Sequence, residues 1–247
     1  MNIKISNRLS SLTGYAFAEV DNEVAKLKKL GITPIDFGVG DPKEPTPEIV
    51  RSAIKKAVDA RKSSGYPSYI GTDEYRQEIA RWYRKRFGVN LNYENEITST
   101  IGAKEAVFNF PKAFLNPGDY AIMPNPTYPP YERGTLFAEG KPYFVPLLKE
   151  NNFLMDLSSI PREIVKKSKI LWINYPNNPT GAIAPKEFFR EAIDFGNDNN
   201  IIIASDECYT EIYFREKPHS VLEFSQEGAV AFQSLSKRSA MTGYRIG

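Results

Sequence analysis

The 247-residue sequence predicts an α/β protein, a three-layer sandwich around a mostly parallel sheet. Short apolar, β-rich runs recur at 120–123, 143–145, 170–173, 201–205 and 229–233, with helix-like segments between several of them. That alternation builds layered α/β folds. With 41% hydrophobic and 25% charged residues, the chain also has apolar material for one large core, or for one core and a small lobe.

The inventory of side chains removes several function classes. The net charge of +2 is mild and basic residues are scattered among acidic ones, so a polynucleotide partner is not expected. The stretch from Met1 to Arg8 has no apolar core of signal-peptide length, and no later run is long enough to cross a bilayer. A cytoplasmic protein without a membrane partner is expected. With one cysteine and one histidine, the chain can build neither an intrachain disulfide nor a Cys/His zinc site, and a Ser-His-Asp triad would leave no spare histidine. A Cys208/His219 thiol hydrolase is arithmetically open, but Cys208 reads more simply as a small hydrophobe near a strand end.

From the N-terminus, Phe17 to Leu30 mixes apolar and charged residues as a helix does and stops at Gly31, suited to a left-handed cap. Pro34 to Pro42 is a short extended piece ending in a glycine-bearing turn, where Gly38 and Gly40 would let backbone come close to a small ligand. Thr46-Pro47 reads as an N-cap followed by proline at the first helical position, opening a helix to about Ala60. The loop Ser63 to Gly71 is rich in tyrosine, and a helix from Thr72 to about Phe87 follows with Ile79, Trp82 and Tyr83 on its inner face. Exposed tyrosines on such a loop contact partners or ligands, or else pack on the next helix.

A β-rich run from Glu96 then passes through Gly102 into a helix, whose first amides and positive dipole end would face an anion. Past the turn Asn116-Pro117-Gly118-Asp119 and a strand, prolines stiffen a loop carrying Tyr128. Ligands of open parallel sheets bind beyond the carboxyl ends of strands. Candidate residues follow four expected strands: Gly102, the segment Asn174 to Gly181, the segment Ser205 to Tyr209, and Lys237. Each has an ordinary explanation as a turn or a local cap, but one bound cofactor accounts for all four.

The last of these, Ser234-Leu235-Ser236-Lys237, is trailed by Arg245. A lysine there can form a Schiff base with a carbonyl compound once its charge is partly suppressed. The serine hydroxyls and the two-pronged guanidinium suit a phosphate. Pyridoxal 5'-phosphate (PLP) asks for both.

The chain resembles the class I/II aminotransferases of the fold type I PLP enzymes from about Pro34 to Gly247. The resemblance is carried by Gly38-Val39-Gly40-Asp41-Pro42, Gly102-Ala103-Lys104, Asn116-Pro117-Gly118-Asp119, Pro126-Thr127-Tyr128, Asn177-Asn178-Pro179-Thr180-Gly181, Asp206-Glu207-Cys208-Tyr209, Ser234 to Lys237, and Gly243 to Gly247. It implies an N-terminal arm and part of a small domain over 1–45, and a large PLP-binding domain over 46–247. By the same resemblance Lys237 would be the Schiff-base lysine, Asp206 would pair with the pyridine nitrogen, and Tyr209 and Asn178 would hydrogen-bond the ring's phenolic oxygen. Tyr128 would stack on the ring. Ser234, Ser236, Arg245 and the amides of Ala103 and Lys104 would hold the phosphate, with Tyr66 reaching in from a second subunit of a homodimer. Gly40 and Asn178 would contact the substrate.

The reaction so implied moves an amino group between an amino acid and a 2-oxo acid such as 2-oxoglutarate. The wording from Ser205 to Tyr213 and from Ser234 to Ser239 resembles the branch that acts on diaminopimelate or its N-succinyl precursor in lysine biosynthesis. Relatives continue past the Gly-Tyr-Arg-Ile-Gly segment into a C-terminal small domain that supplies the arginine for the substrate α-carboxylate. This chain stops at Gly247, so an incomplete small domain and exposed apolar surface are expected. A carbon-sulfur lyase of the same fold type and a non-catalytic PLP or amino-acid binding domain are the alternatives.

Overall fold

The computed structural model describes residues 3–10, 12, 16–35, 38 and 40–247. They fall into two compact units, Met1–Lys43 and Glu44–Gly247. The first holds two helices, α1 (Asn7–Ser10) and α2 (Ala16–Lys29). Gly31 takes the left-handed conformation just past α2 (φ 75°), as its place after the apolar-charged run requires. Asp36, Phe37 and Val39 of the expected glycine-bearing turn lie outside the described residues; Gly40 is exposed.

The second unit begins with α3 (Glu48–Ala60) and α4 (Asp73–Phe87). Pro47, and not Thr46, is the N-cap of α3. Thr46 instead donates its hydroxyl to the Ala240 carbonyl, far along the chain, so a tertiary partner wins over the local cap. Thr72 does cap α4, accepting from Tyr75 N at 3.3 Å, and Tyr83 is buried on that helix's inner face. Next come α5 (Ala103–Asn109), α6 (Pro111–Phe114), β1 (Tyr120–Asn125), α7 (Pro129–Phe137), β2 (Lys141–Pro146), α8 (Arg162–Val165) and β3 (Ser168–Asn174). The chain closes with α9 (Lys186–Asn199), β4 (Ile202–Asp206), β5 (Ala229–Phe232) and the one-turn α10 (Leu235–Arg238).

The five strands form one sheet in the order β2-β1-β3-β4-β5, and every neighbouring pair is parallel. Side chains alternate across it, as the period of two demands. Ile122, Leu171, Ile173 and Ile203 face one core together with Phe188, Phe189 and Ile193 of α9. Ala121, Met123, Ile170, Trp172 and Ala204 face the other, together with Val107 of α5 and Tyr131 of α7. The sheet is thus covered on both sides, the usual condition of a parallel sheet.

One expected strand is absent. The run Glu96 to Ile101 has no strand assignment. Its hydrogen bonds go to Ile70, through Ser99 N at 3.0 Å, and to Gly247, with which Thr100 exchanges both backbone bonds at 2.8 and 3.1 Å. The β-forming side chains are there, but a strand needs a neighbour along its length and this segment meets two, each at a single residue.

Candidate functional site

The carboxyl ends of β3, β4 and β5 and the loop after β1 meet around Asp206. This residue ends β4, is buried, and lies opposite Asn174 and Phe232 in the two adjoining strands. Tyr131 donates its hydroxyl to Asp206 Oδ2 at 2.7 Å, and Cys208 N donates to Oδ1 at 3.2 Å. Burial pushes the Asp206 carboxyl up, and those two hydrogen bonds pull it back towards the charged form. Tyr131 is itself clamped, fully buried and stacked on Trp172 with ring centres 4.6 Å apart and planes 9° from parallel.

Asn174, the last residue of β3, ties two strand ends together. Its Nδ2 donates to the Asp206 carbonyl at 2.9 Å, and its Oδ1 accepts from Asn178 N at 2.8 Å. Asn178 is thereby fixed by its backbone in an exposed turn. Neighbouring Asn177 is buried; its Oδ1 accepts from both the amide and the hydroxyl of Thr180.

The remaining expected residues gather by their fields as well as by contacts. The Tyr128 hydroxyl, at the N-cap of α7, is pushed up to about 12 by burial and by Asp206, Cys208 and Tyr209, with Arg245 acting the other way. Burial and Asp206 also raise the half-buried Tyr209. The Cys208 thiol is raised chiefly by burial and by Asp206, and Lys237 opposes that rise. Tyr128 therefore lies within electrostatic reach of Asp206, Tyr209 and Arg245, and Lys237 within reach of Cys208.

Arg245 belongs to a cradle suited to an anion. Gly102 has φ 76° and caps α5; a methyl group added to it would stand 2.2 Å from Arg245 Nη2, so the guanidinium lies directly on this turn. Arg245 Nη1 donates to the Thr242 carbonyl at 3.0 Å and approaches Ser236 Oγ at 3.5 Å. Ser234 and Ser236 are buried. Ser234 caps α10 by accepting from Ser236 N at 3.1 Å, which leaves its hydroxyl proton for an acceptor. Ala103 is buried and Lys104 exposed on the first turn of α5.

These residues fit PLP. Two hydroxyls, a guanidinium and a helix start suit its phosphate. A buried carboxyl whose two hydrogen-bond donors are neutral is the chemical complement of a protonated ring nitrogen. Two buried polar atoms near these turns, Thr127 Oγ1 and Asn177 Nδ2, have no hydrogen-bond partner among the described residues. Tyr66 is fully exposed on its loop and makes no part of this cluster. Gly40 belongs to the 1–43 unit. A cleft of about 850 Å³ between Tyr69, Tyr75, Ser99 and Ile246 contains none of Asp206, Lys237, Tyr128 or Tyr209, so cavity size does not locate the site.

Sequence reasoning did not single out Tyr131 or Trp172, because their roles arise from contacts across the sheet. Asn174 entered it only as the first residue of the candidate segment past β3, not for the two strand ends it ties together.

The family model for aminotransferase class I and II matches residues 32–247. The chain is 48% identical to an LL-diaminopimelate aminotransferase of Aquifex aeolicus over 99% of its own length and 64% of that protein's. It is 46% identical to one from Halothermothrix orenii over 98% and 63%. Among solved structures, apo BacF from Bacillus subtilis superposes with a TM-score of 0.94 at 34% identity, over 100% of this chain and 63% of that one. A Thermus thermophilus aspartate aminotransferase mutant gives 0.93 at 30% identity, over 100% and 64%. The chain thus spans a little under two thirds of the length of these relatives. Family model, relatives and parallel-sheet fold agree, and the chain belongs to the class I and II aminotransferases.

Proposed function

We propose that this chain carries the cofactor-holding part of a PLP-dependent aminotransferase that moves an amino group between LL-diaminopimelate and a 2-oxo acid such as 2-oxoglutarate. The observation that carries the chemistry is the buried Asp206 carboxyl, braced by Tyr131 and followed by Cys208, whose thiol feels both Asp206 and Lys237. The substrate rests on the named relatives at 48% and 46% identity. A homodimer in the cytoplasm fits the exposure of Tyr66 and a biosynthetic role; among the described residues no helix is long and apolar enough to cross a membrane.

When bound, PLP supplies a carbonyl carbon that links to amines and a ring that takes up the electron pair left by a departing α-proton. Asp206 would hold the proton on the ring nitrogen. The charged form of its carboxyl, disfavoured by burial, is recovered when a cation lies against it. Lys237 Nζ would hold the cofactor and, once released by the incoming amino acid, carry the proton to and from the substrate carbon as base and then acid. Tyr128 would cover one face of the ring, Asn178 and Tyr209 would donate to its phenolic oxygen, and Asn178 would contact the substrate. Arg245, Ser234, Ser236 and the first amides of α5 would retain the phosphate.

The test is visible absorbance of the purified chain with added PLP, then borohydride reduction and peptide mapping, followed by an assay for glutamate made from LL-diaminopimelate and 2-oxoglutarate. A label on Lys237 that vanishes in Lys237→Ala, with glutamate formed only by the parent, is expected. Pyruvate and a thiol released from an added sulfur-bearing amino acid, without any new amino acid from the oxo acid, would mark a lyase instead, and a folded chain that takes no label on Lys237 would sink the assignment.

A further inference from the structure

The turn that carries Lys237 is flanked by two side chains that the chemistry above does not use. Gln233 precedes Ser234, and Arg238 follows Lys237. Both reach α4, at adjacent residues. Arg238 Cζ lies 4.2 Å from the centre of the Trp82 ring. Gln233 Nε2 donates to the Tyr83 hydroxyl at 3.3 Å and to Glu207 Oε2 at 3.0 Å. Trp82 and Tyr83 are themselves edge to face, 5.0 Å apart.

Glu207 is fully buried and follows Asp206 directly. It is pinned by Ser205 Oγ at 2.9 Å and Val221 N at 2.8 Å. The next turn of α4 grips the same region again: Arg86 Nε meets Glu211 Oε1 at 2.8 Å, and Arg86 Nη2 donates to the carbonyls of Thr210 and Pro218. One helix thus holds both the segment leaving Asp206 and the two ends of the lysine turn.

The lysine turn needs such support. A helix of four residues has almost no stability of its own, because a single turn fixes several backbone angles for one hydrogen bond. Its place is set by whatever holds its ends. Arg238 is partly desolvated, which lowers its pKa; Glu211 opposes this and Arg86 adds to it, and the face of an indole also favours a cation in such a spot.

We propose that Gln233 and Arg238 are positioning residues which, clasped by Tyr83 and Trp82, fix the Lys237 turn relative to Asp206, so that α4 sets the geometry of the site without contributing a group to it. The clasp takes its chemical meaning from the aminotransferase reading, and the experiment keeps the two apart.

The rate of reductive methylation of Lys237 at fixed pH is read by peptide mapping without cofactor, and PLP affinity by absorbance. Both are measured in the parent chain and in Gln233→Ala, Arg238→Met, Arg238→Lys and Tyr83→Phe. Gln233→Ala and Arg238→Met are expected to change the Lys237 rate and to weaken PLP binding, each by about fivefold or more, the scale of one lost hydrogen bond or cation-ring contact. Arg238→Lys, which keeps a cation over the ring, should restore most of both. Unchanged rates and affinities in folded variants would overturn the clasp, as would losses that Arg238→Lys does not restore. Should Arg238→Met fail to fold, Tyr83→Phe decides on the same criteria, since it removes one hydroxyl. If the parent chain takes no PLP on Lys237, the aminotransferase reading falls while the methylation rates still decide the clasp.

Discussion

Asp206 and Glu207 are consecutive, both buried, and both raised by desolvation, yet they are furnished differently. Asp206 ends β4, and its carboxylate is held by a phenol and by its own turn. Glu207 accepts from Ser205 of β4, from Gln233 just past β5 and from the backbone amide of Val221. The residue with more partners is the structural one. A carboxylate already supplied with donors has little left to offer a ligand, whereas one held by its edges keeps its charge for a cation that arrives later.

Removing each carboxylate should separate the two roles. The largest effect expected is from Asp206→Ala: turnover in the proposed reaction falls by roughly 10²-fold or more, the scale of a lost proton-handling group, while circular dichroism stays that of the parent. Turnover within a few-fold of the parent would erase the contrast. Glu207→Ala should instead act on folding, costing about 3 kcal/mol in denaturant titration because Ser205, Gln233 and the Val221 amide lose their acceptor.

The same residue gives a pH signature. Burial lifts the Glu207 carboxyl from 4.5 to about 7, with Tyr83 of α4, Asp206 and Cys208 the other titratable groups around it. The folded chain binds this proton more tightly than the unfolded chain does. The stability it confers is complete below 4.5 and is lost as pH rises to about 7. Glu207→Gln should flatten the fall in Tm across that window; an unchanged slope would show that other groups cause it. The smallest effect is Tyr131→Phe, which takes one donor from Asp206 Oδ2. It should cost about 1 kcal/mol in the same titration and raise the pH at which Asp206 titrates.

The sheet was readable because each buried strand needs its own apolar run, and the segments around Ile122, Ile173 and Ile203 supply one each. Asp206 drew attention as a charged residue just past an expected strand, and it does lie buried at the end of β4. Glu96 to Ile101 misled for a definite reason: β propensity is local, whereas a strand is defined by its neighbour, and here each neighbour is one residue long. Thr46 misled in the same way, its hydroxyl preferring Ala240. Tyr131, Glu207 and the bracket on α4 join residues from 26 to 150 positions apart, and no spacing rule reaches that far.

The paired bonds between Thr100 and Gly247 bear on the order in which the molecule is made. They close the cradle around Gly102 by joining residues separated by most of the larger unit, and contacts so distant in sequence pay their loop-closure entropy late. A chain still emerging from the ribosome can therefore have its sheet assembled and Asp206 in place while the anion cradle does not yet exist. Capture of a phosphate-bearing molecule there would require that contact, and it would stabilise only states in which the contact has formed.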